Sequence, residues 1–291
     1  MKPSSIKRAG PFQLAILAFA IAIALAQKVF ADEADRVVSI GGSVTEIVFA
    51  LGQQDRLIAR DATSQFPPIA SDLPDIGYMR ALSPEGVLSV DPDLILAEEG
   101  SGPPEVIDVL EAAGIEFISV PDGYDGPAIT AKIEAVAAAL GVEARGAELI
   151  AEVEAQLQQA TRAVADDRPP RVLFILSLQG GRVMASGTDT AAAGIIALAG
   201  GVNAVTEFDG YMPMSDEAVA AAAPDIILMM DRGGNHAAAD ADLFSHPALS
   251  ITPAGAAQRV VRIDGLLLLG FGPRTPEAVR QLSSAIGTAQ G

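Results

Sequence analysis

Several residue types are absent or scarce in this chain of 291 residues, which narrows what it can do. Cysteine is absent, which excludes disulfide bonds, cysteine-based metal sites, a cysteine nucleophile and a lipid-modified N-terminal cysteine. Tryptophan is also absent and aromatic residues make up only 4% of the chain, so a site built from stacked rings is not expected. Apolar residues, in contrast, make up 50% of the chain, enough for one large domain or two lobes.

The first 31 residues have the pattern of a secretory signal. A basic segment is followed by an apolar one, and no polar residue occurs from Leu14 to Ala26. That length suits a signal peptide but is short for a membrane-spanning helix, so an N-terminal anchor is the less favoured alternative. Small residues predict cleavage after Ala31, with Ala26 as the other choice. We therefore expect an exported, soluble protein.

Acidic residues outnumber basic ones by about two to one. The chain has 37 acidic and 19 basic residues, and the predicted cleavage removes four of the basic residues and none of the acidic ones. A surface this negative repels nucleic acid and anionic lipid headgroups, so neither is expected as a partner. A site for an anionic ligand would need a local group of arginines.

Short β-branched runs alternate with Ala- and Leu-rich helical patterns along the rest of the chain, which is typical of α/β folds with mainly parallel strands. Then a long helical pattern follows, interrupted only by Gly141 and Gly146. A helix of roughly 35 residues would be about 50 Å long. The sequence therefore predicts four segments: a signal peptide (1–31), an N-terminal lobe (32–126), a linking helix (127–168) and a C-terminal lobe (169–291).

A short unit occurs twice in the chain. Residues 83–96 (SPEGVLSVDPDLIL) and 215–228 (SDEAVAAAAPDIIL) match at a constant offset of 132 residues. Each copy predicts a serine N-cap, a short helix opened by acidic residues, and a Pro-Asp pair that leads into an apolar strand. Two such units in register, one in each predicted lobe, indicate that the two lobes share one architecture.

With these features the chain resembles the periplasmic substrate-binding proteins of ABC importers for iron chelates and cobalamin-type ligands. The resemblance covers essentially the whole chain after the signal. Within that family, the segments at 63–96, 184–204 and 266–279 resemble the haem-binding branch. The resemblance implies an α/β protein of two Rossmann-like lobes with mainly parallel sheets, joined by one long backbone helix, with the ligand in the cleft between the lobes.

The same resemblance implies roles for individual residues. Tyr78, in a Gly-Tyr-Met-Arg loop, matches the tyrosine that ligates haem iron, and Arg80 matches an arginine beside it. Arg232 falls where the second lobe offers another basic residue. Glu85 and Glu217 match the acidic pair, one per lobe, that docks on arginines of the membrane permease.

The chemistry of Tyr78 fits that role. A tyrosinate oxygen is a hard anionic donor that suits ferric iron. A phenol has an ordinary pKa near 10, so it is helped to ionise by the iron and by a nearby guanidinium, which could also pair with the haem propionates. In an extended segment Tyr78 and Arg80 would project to the same side. The alternative is that Tyr78 packs its own loop and Arg80 is a surface charge.

Other residues are secondary candidates. Under the repeat offset, Tyr211 falls one position from the counterpart of the ligating tyrosine, so it either faces the cleft from the opposite lobe or packs its own loop. Met79 either gives apolar contact with the porphyrin or belongs to the core. Phe66 stands where relatives often carry a tyrosine, so any ligand contact made by that tyrosine is lost here. Glu85 and Glu217 have a local alternative role, stabilising a helix N-terminus.

We expect no enzyme. The chain has no nucleophile elbow of the G-x-S-x-G type, its GGSVTE segment (41–46) lacks the lysine of a phosphate-binding loop, and His236 and His246 lie in sequences typical of solvated loops. The expected protein is a periplasmic, monomeric carrier that binds ferric haem and delivers it to an ABC permease. The alternatives are a ferric-siderophore or cobalamin carrier of the same fold and, from other classes, a secreted interaction module or a hydrolase.

Overall fold

The computed structural model describes residues 35–162, 168–231 and 239–288. The predicted signal peptide, Arg232 and His236 lie outside these ranges. Within the described ranges, no helix combines the length and the apolar character that crossing a membrane requires.

Strands and helices alternate in both halves of the described chain. The first half contains β1 (Val37–Ile40), α1 (Gly42–Ala50), β2 (Leu57–Arg60), α2 (Pro84–Leu88), β3 (Leu94–Glu98), α3 (Pro104–Ala112) and β4 (Glu116–Val120). Two linking helices follow, α4 (Gly126–Ala139) and α5 (Glu143–Arg162). The second half contains β5 (Arg171–Gln179), β6 (Arg182–Ser186), α6 (Ala191–Leu198), β7 (Val202–Asn203), β8 (Tyr211–Met214), α7 (Asp216–Ala222), β9 (Ile226–Asp231), α8 (Asp240–Ser245), α9 (Pro247–Ser250), α10 (Pro253–Ala256), β10 (Val260–Asp264), α11 (Gly265–Leu269) and α12 (Thr275–Thr288).

Each half builds one sheet. The first sheet has the strand order β2-β1-β3-β4, and all of its strands are parallel. The second sheet has the order β10-β9-β5-β6-β8, with β7 also beside β5, and only β6 runs antiparallel to its neighbours. The predicted fold class, two α/β lobes with mainly parallel sheets, is therefore confirmed.

Each sheet also has its own apolar core. In the first lobe, Val38 and Ile40 of β1 pack with Ile95 of β3. In the second lobe, Leu173 of β5 packs with Ile227 of β9. All five side chains are fully buried, as expected for central strands of parallel sheets covered on both faces.

The predicted single linking helix is wrong. The segment forms α4 and α5, and the chain turns between them at Gly141, whose φ of +69° lies in the left-handed region that glycine adopts without strain. A lone glycine in a helical pattern is compatible with either a continuous helix or a break, and here it ends the helix.

After this turn α5 runs back along α4. Near the turn, a Cβ added to Gly146 would lie only 2.5 Å from the Cβ of Ala137, so the two helices approach closely there. Near the other end, the hydroxyl of Thr130 lies 3.5 Å from a carboxylate oxygen of Glu154. The connection between the lobes is therefore α5, which has 20 residues and is about 30 Å long, rather than a rod of about 50 Å.

Both copies of the repeated unit form the elements predicted for them. The hydroxyl of Ser83 accepts a hydrogen bond from the backbone N–H of Gly86 at 3.0 Å, and that of Ser215 accepts one from Ala218 at 3.2 Å. The strands that follow, β3 and β9, each lie between two other strands of their sheet. The unit therefore supplies a capped helix and an inner strand in each lobe.

Candidate functional site

The loop that carries Tyr78 is held by backbone hydrogen bonds on two sides. Ala62 donates to the carbonyl of Gly77 at 2.8 Å, and Gly102 donates to that of Met79 at 2.9 Å. Gly77 itself has a φ of +104°, which a residue with a side chain rarely adopts. Tyr78 remains 49% exposed. The loop is thus a fixed support that presents an accessible phenol.

The extended geometry predicted for Tyr78 and Arg80 is wrong. Ala81 donates to the carbonyl of Tyr78 at 2.8 Å, which closes a tight turn around Arg80. The charge of Arg80 acts on the two other tyrosines of the chain. Burial raises the pKa of both Tyr124 and Tyr211, and the guanidinium of Arg80 opposes that rise in each case.

The sequence reasoning missed Tyr124, which follows β4. Its ring packs edge-on against Phe271, with 5.6 Å between the ring centroids. Gly194 of α6 makes room for its backbone, because a Cβ there would lie 2.3 Å from the carbonyl oxygen of Tyr124. Since Phe271 and Gly194 belong to the second lobe, Tyr124 lies where the lobes meet. Tyrosine's rarity in the chain is the only sequence signal that marks it.

Tyr211 is the first residue of β8 and reaches the same region from the second lobe. Burial raises the pKa of its phenol, and the side chain of Thr190 and the backbone of Ala192, at the start of α6, oppose that rise. Its ring packs edge-on against Phe174, with centroids 6.2 Å apart. That Tyr211 faces the cleft from the second lobe stays a prediction.

A buried lysine joins the two lobes beside this cleft. Lys132 of α4 is fully buried, and its Nζ lies 2.9 Å from Glu98, 2.9 Å from Asp122, 3.1 Å from the hydroxyl of Ser43 and 3.5 Å from the carbonyl of Gly270. Burial raises the pKa of Glu98, and the charge of Lys132 opposes that rise. Since Gly270 belongs to the second lobe and the acids to the first, the ammonium group bridges them.

A second cation crosses between the lobes. Arg274, in the second lobe, donates to both carboxylate oxygens of Glu46 in α1, at 2.9 and 2.5 Å. Its guanidinium also lies 3.5 Å from the ring centroid of Phe66, in the geometry of a cation–π contact. Burial raises the pKa of Glu46, and the hydrogen bond and charge of Arg274 oppose this. Phe66 is therefore a fixed, partly exposed aromatic ring where a tyrosine was expected from the resemblance.

The remaining candidates have local roles in the structure. Met79 is half-buried and packs against the first-lobe core, so it belongs at least partly to that core. Glu85 and Glu217 are both exposed in the first turns of α2 and α7. The pKa of Glu217 is lowered by a hydrogen bond from its own backbone N–H and by one from the hydroxyl of Ser215, which is the helix-start role weighed from the sequence.

His246 is buried, so its predicted place in a solvated loop is wrong. Its Nε2 lies 2.9 Å from the carbonyl of Gly181, and its Nδ1 accepts from the backbone of Ala248 at 3.3 Å. Among the residues that the structure describes, no three or more His, Cys, Asp or Glu side chains are grouped so that they could hold a metal ion.

Comparison with known proteins places this architecture in a family. Residues 37–266 match the family described as periplasmic binding protein. The chain belongs to this family. The fold of this periplasmic binding protein is similar to that of the periplasmic heme-binding protein BhuT in complex with two hemes, with a TM-score of 0.84 and 42% identity over 88% of this chain and 99% of that one.

Two further proteins are similar over most of the chain. The periplasmic heme-binding protein RhuT from Roseiflexus sp. RS-1, in its apo form, has a TM-score of 0.84 and 38% identity, covering 89% of this chain and 100% of that one. The ABC transporter substrate-binding lipoprotein YvrC of Bacillus subtilis (strain 168) is 28% identical over 259 residues, which are 87% of this chain and 80% of that protein. The predicted family is therefore confirmed, and the three similar proteins carry the names of substrate-binding proteins. The roles of Tyr78, Arg80 and Tyr211 remain predictions.

Proposed function

We propose that this protein is a periplasmic carrier that binds ferric haem in the cleft between its lobes and delivers it to an ABC permease. The observation that carries the proposal is Tyr78, an accessible phenol fixed on a rigid loop of the first lobe. The similarity to two heme-binding proteins over nearly their full lengths supports it. Tyr78 would ligate the ferric iron as the phenolate, a hard oxygen donor that suits this ion.

Haem is a planar ring, and its two propionates give one edge a negative charge. The cleft therefore needs positive charge to bind that edge. Arg80, exposed in the turn that follows Tyr78, would supply one guanidinium. Arg232, outside the described residues, would supply a second. Met79, half-buried beside the ligating loop, would give apolar contact through whatever surface it leaves uncovered.

Delivery would depend on two exposed carboxylates. Glu85 and Glu217 occupy the same place in the two repeated units, one in each lobe. We infer that both dock on basic residues of the permease and that the carrier acts as a monomer without chemically altering its ligand. Export would remove the signal peptide after Ala31, or after Ala26.

A hemin titration followed by visible absorption tests the proposal. The wild-type protein without residues 1–31 should bind hemin saturably, with the spectrum of a high-spin ferric haem ligated by tyrosinate. Tyr78→Phe should abolish that spectrum and weaken binding at least tenfold, because phenylalanine keeps the ring and removes only the ligating oxygen. Tyr211→Phe is the matched control and should keep the spectrum.

Four other outcomes would change the conclusion. A tyrosinate spectrum that persists in Tyr78→Phe and is lost in Tyr211→Phe would move the iron ligand to the second lobe. A tyrosinate spectrum that survives in both variants would move the iron ligand to Tyr124, the third tyrosine of the chain. Saturable binding with the spectrum of a histidine-ligated haem would point to His236. If hemin does not bind saturably at all, the haem proposal is wrong, and saturable binding of cobalamin or of a ferric siderophore would decide between the two alternatives.

A further inference from the structure

One carboxylate of the first lobe is buried without a cation. Asp61, the first residue after β2, is fully buried, and among the described residues no basic side chain forms an ion pair with it. The guanidinium of Arg60 binds its backbone carbonyl and the side chain of Asp75 instead. A buried charge without a cation is costly unless hydrogen-bond donors surround it. The donors around this carboxylate therefore indicate what it holds in place.

Those donors come from two parts of the chain. One oxygen of Asp61 accepts from the backbone N–H of Gly41, just before α1, at 3.0 Å and from the hydroxyl of Ser64 at 2.8 Å. The other oxygen accepts from the backbone N–H and the hydroxyl of Thr63, at 2.9 and 2.8 Å. Ser64 is in turn hydrogen-bonded to the hydroxyl of Thr45 in α1 at 2.6 Å, and both are fully buried. The carboxylate therefore fixes the chain that follows β2 against the start of α1.

The same segment supports the loop of Tyr78. The backbone N–H of Ala62 donates to the carbonyl of Gly77 at 2.8 Å, and the hydroxyl of Thr63 lies 4.0 Å from the sulfur of Met79. Gly77 and Met79 are the chain neighbours of Tyr78, so the segment contacts the loop on both sides of this residue. The position of the phenol therefore depends on a segment that the buried carboxylate holds.

We propose that Asp61 is a positioning residue for the iron ligand: its carboxylate holds residues 62–64 in the conformation that sets the place of the Tyr78 phenol. This inference rests on the proposed function, because it requires Tyr78 to ligate the iron. Asp61 is fully buried, so it acts through Tyr78 and does not touch the haem. A ligand atom binds a metal well only when the groups behind it hold it in place, so a displaced loop weakens binding.

Hemin titrations of Asp61→Asn in two backgrounds test the proposal. The substitution keeps the size of the side chain but replaces one acceptor oxygen with a donor, which leaves a backbone N–H without its acceptor. In the wild-type background it should weaken hemin binding by about tenfold, as expected for loss of a hydrogen bond to a charged group, and reduce the tyrosinate absorption. In the Tyr78→Phe background it should weaken hemin binding by less than about twofold, because no ligating oxygen is left to position.

Two sets of variants serve as controls. Asp225→Asn changes a carboxylate of the second lobe that accepts from the backbone N–H of Arg171 at 2.9 Å, and it should keep the spectrum and the hemin affinity within about twofold. Thr63→Val removes one donor to Asp61 and should show the same dependence on Tyr78 with a smaller loss. Thr63→Ser keeps that donor and should bind hemin like the wild type.

The outcomes separate this inference from the proposed function. If the wild-type protein does not bind hemin saturably, or if Tyr78→Phe keeps the tyrosinate spectrum, the role of Tyr78 fails and the inference fails with it. If hemin binds through Tyr78 but Asp61→Asn binds it like the wild type, or loses equal affinity in both backgrounds, the haem function stands and the positioning role is wrong. Thermal unfolding shows whether Asp61→Asn folds, and if it does not, Thr63→Val and Thr63→Ser decide.

Discussion

In the first lobe the repeated unit runs from Ser83 through α2 into β3, and in the second lobe it runs from Ser215 through α7 into β9. The two strands end differently. At the same place in the repeat, the first lobe has Glu98, which pairs with Lys132, and the second has Met230, which packs beside Gly265. The repeated unit therefore determines the helix cap and the inner strand in both lobes. The residue at the end of the strand determines whether that lobe contributes a buried ion pair where the lobes meet.

The largest expected effect comes from breaking that ion pair. Lys132→Met keeps the length of the side chain but leaves Glu98 and Asp122 buried or half-buried without their cation. Breaking a buried pair from one side costs about 3–5 kcal/mol. Urea unfolding should show a loss of that order in the free energy of unfolding.

The matched control converts the first lobe to the chemistry of the second. Lys132→Met combined with Glu98→Met and Asp122→Asn removes the cation together with both negative charges. Replacing a buried pair by apolar side chains of similar volume is often neutral or stabilising, so this triple variant should recover most of the loss. If Lys132→Met alone lowered the free energy of unfolding by less than about 1 kcal/mol, the ion pair would not be stabilising the junction between the lobes.

Removal of either serine N-cap should lower the stability of the protein by the same, smaller amount. Ser83→Ala and Ser215→Ala each remove a hydroxyl that accepts one backbone N–H, at 3.0 and 3.2 Å respectively. Each should lower the free energy of unfolding by about 1 kcal/mol, the usual effect of losing an N-cap. Ser89→Ala is the control, because its hydroxyl donates to a helix carbonyl rather than capping the helix start. A clear difference between Ser83→Ala and Ser215→Ala would mean that the units are alike in sequence but not in energetics.

The parts of the fold that local sequence determines were predictable. A serine followed by acidic residues and then Pro-Asp sets a cap, a short helix and a strand start within about ten residues, and both copies do this. The loop of Tyr78 was also marked locally, by its glycine and prolines. Gly141 interrupts the helical pattern in the sequence, but whether one glycine ends a helix depends on packing that lies outside the segment.

The parts that depend on distant contacts were not predictable in the same way. Lys132 contacts Gly270, which is 138 residues away, and Arg274 contacts Glu46, which is 228 residues away. The sequence did contain one sign that Lys132 is unusual, because it is the only lysine after Lys28. Tyr124 lies in the cleft only because α6 of the other lobe packs against it, so no pattern around it indicates a site.

The smallest expected effect concerns a backbone feature that the two units share. Asp91 and Ala223 occupy the same place in the repeat, and both have positive φ, +53° and +42°. The left-handed conformation costs an L-residue about 1–2 kcal/mol, but aspartate tolerates it better than alanine because its short polar side chain hydrogen-bonds locally. Glycine removes this cost, although it loses more backbone entropy on folding, by about 0.5–1 kcal/mol. Ala223→Gly should therefore stabilise the protein by about 0.5–1 kcal/mol, whereas Asp91→Gly should change its stability little.

Urea unfolding of both glycine variants measures this contrast, with the wild type as the reference. The two positions can be compared directly because their backbone N–H groups make matching hydrogen bonds. That of Asp91 donates to the carbonyl of Leu88 at 3.0 Å, and that of Ala223 donates to the carbonyl of Ala220 at 3.2 Å. Glycine keeps these bonds, and it also keeps the carbonyl of residue 91 that accepts from Arg36. If Asp91→Gly stabilised the protein as much as Ala223→Gly, the side chain of Asp91 would not be relieving the strain. The two units would then carry the same unrelieved backbone cost, and their difference would lie at the strand ends alone.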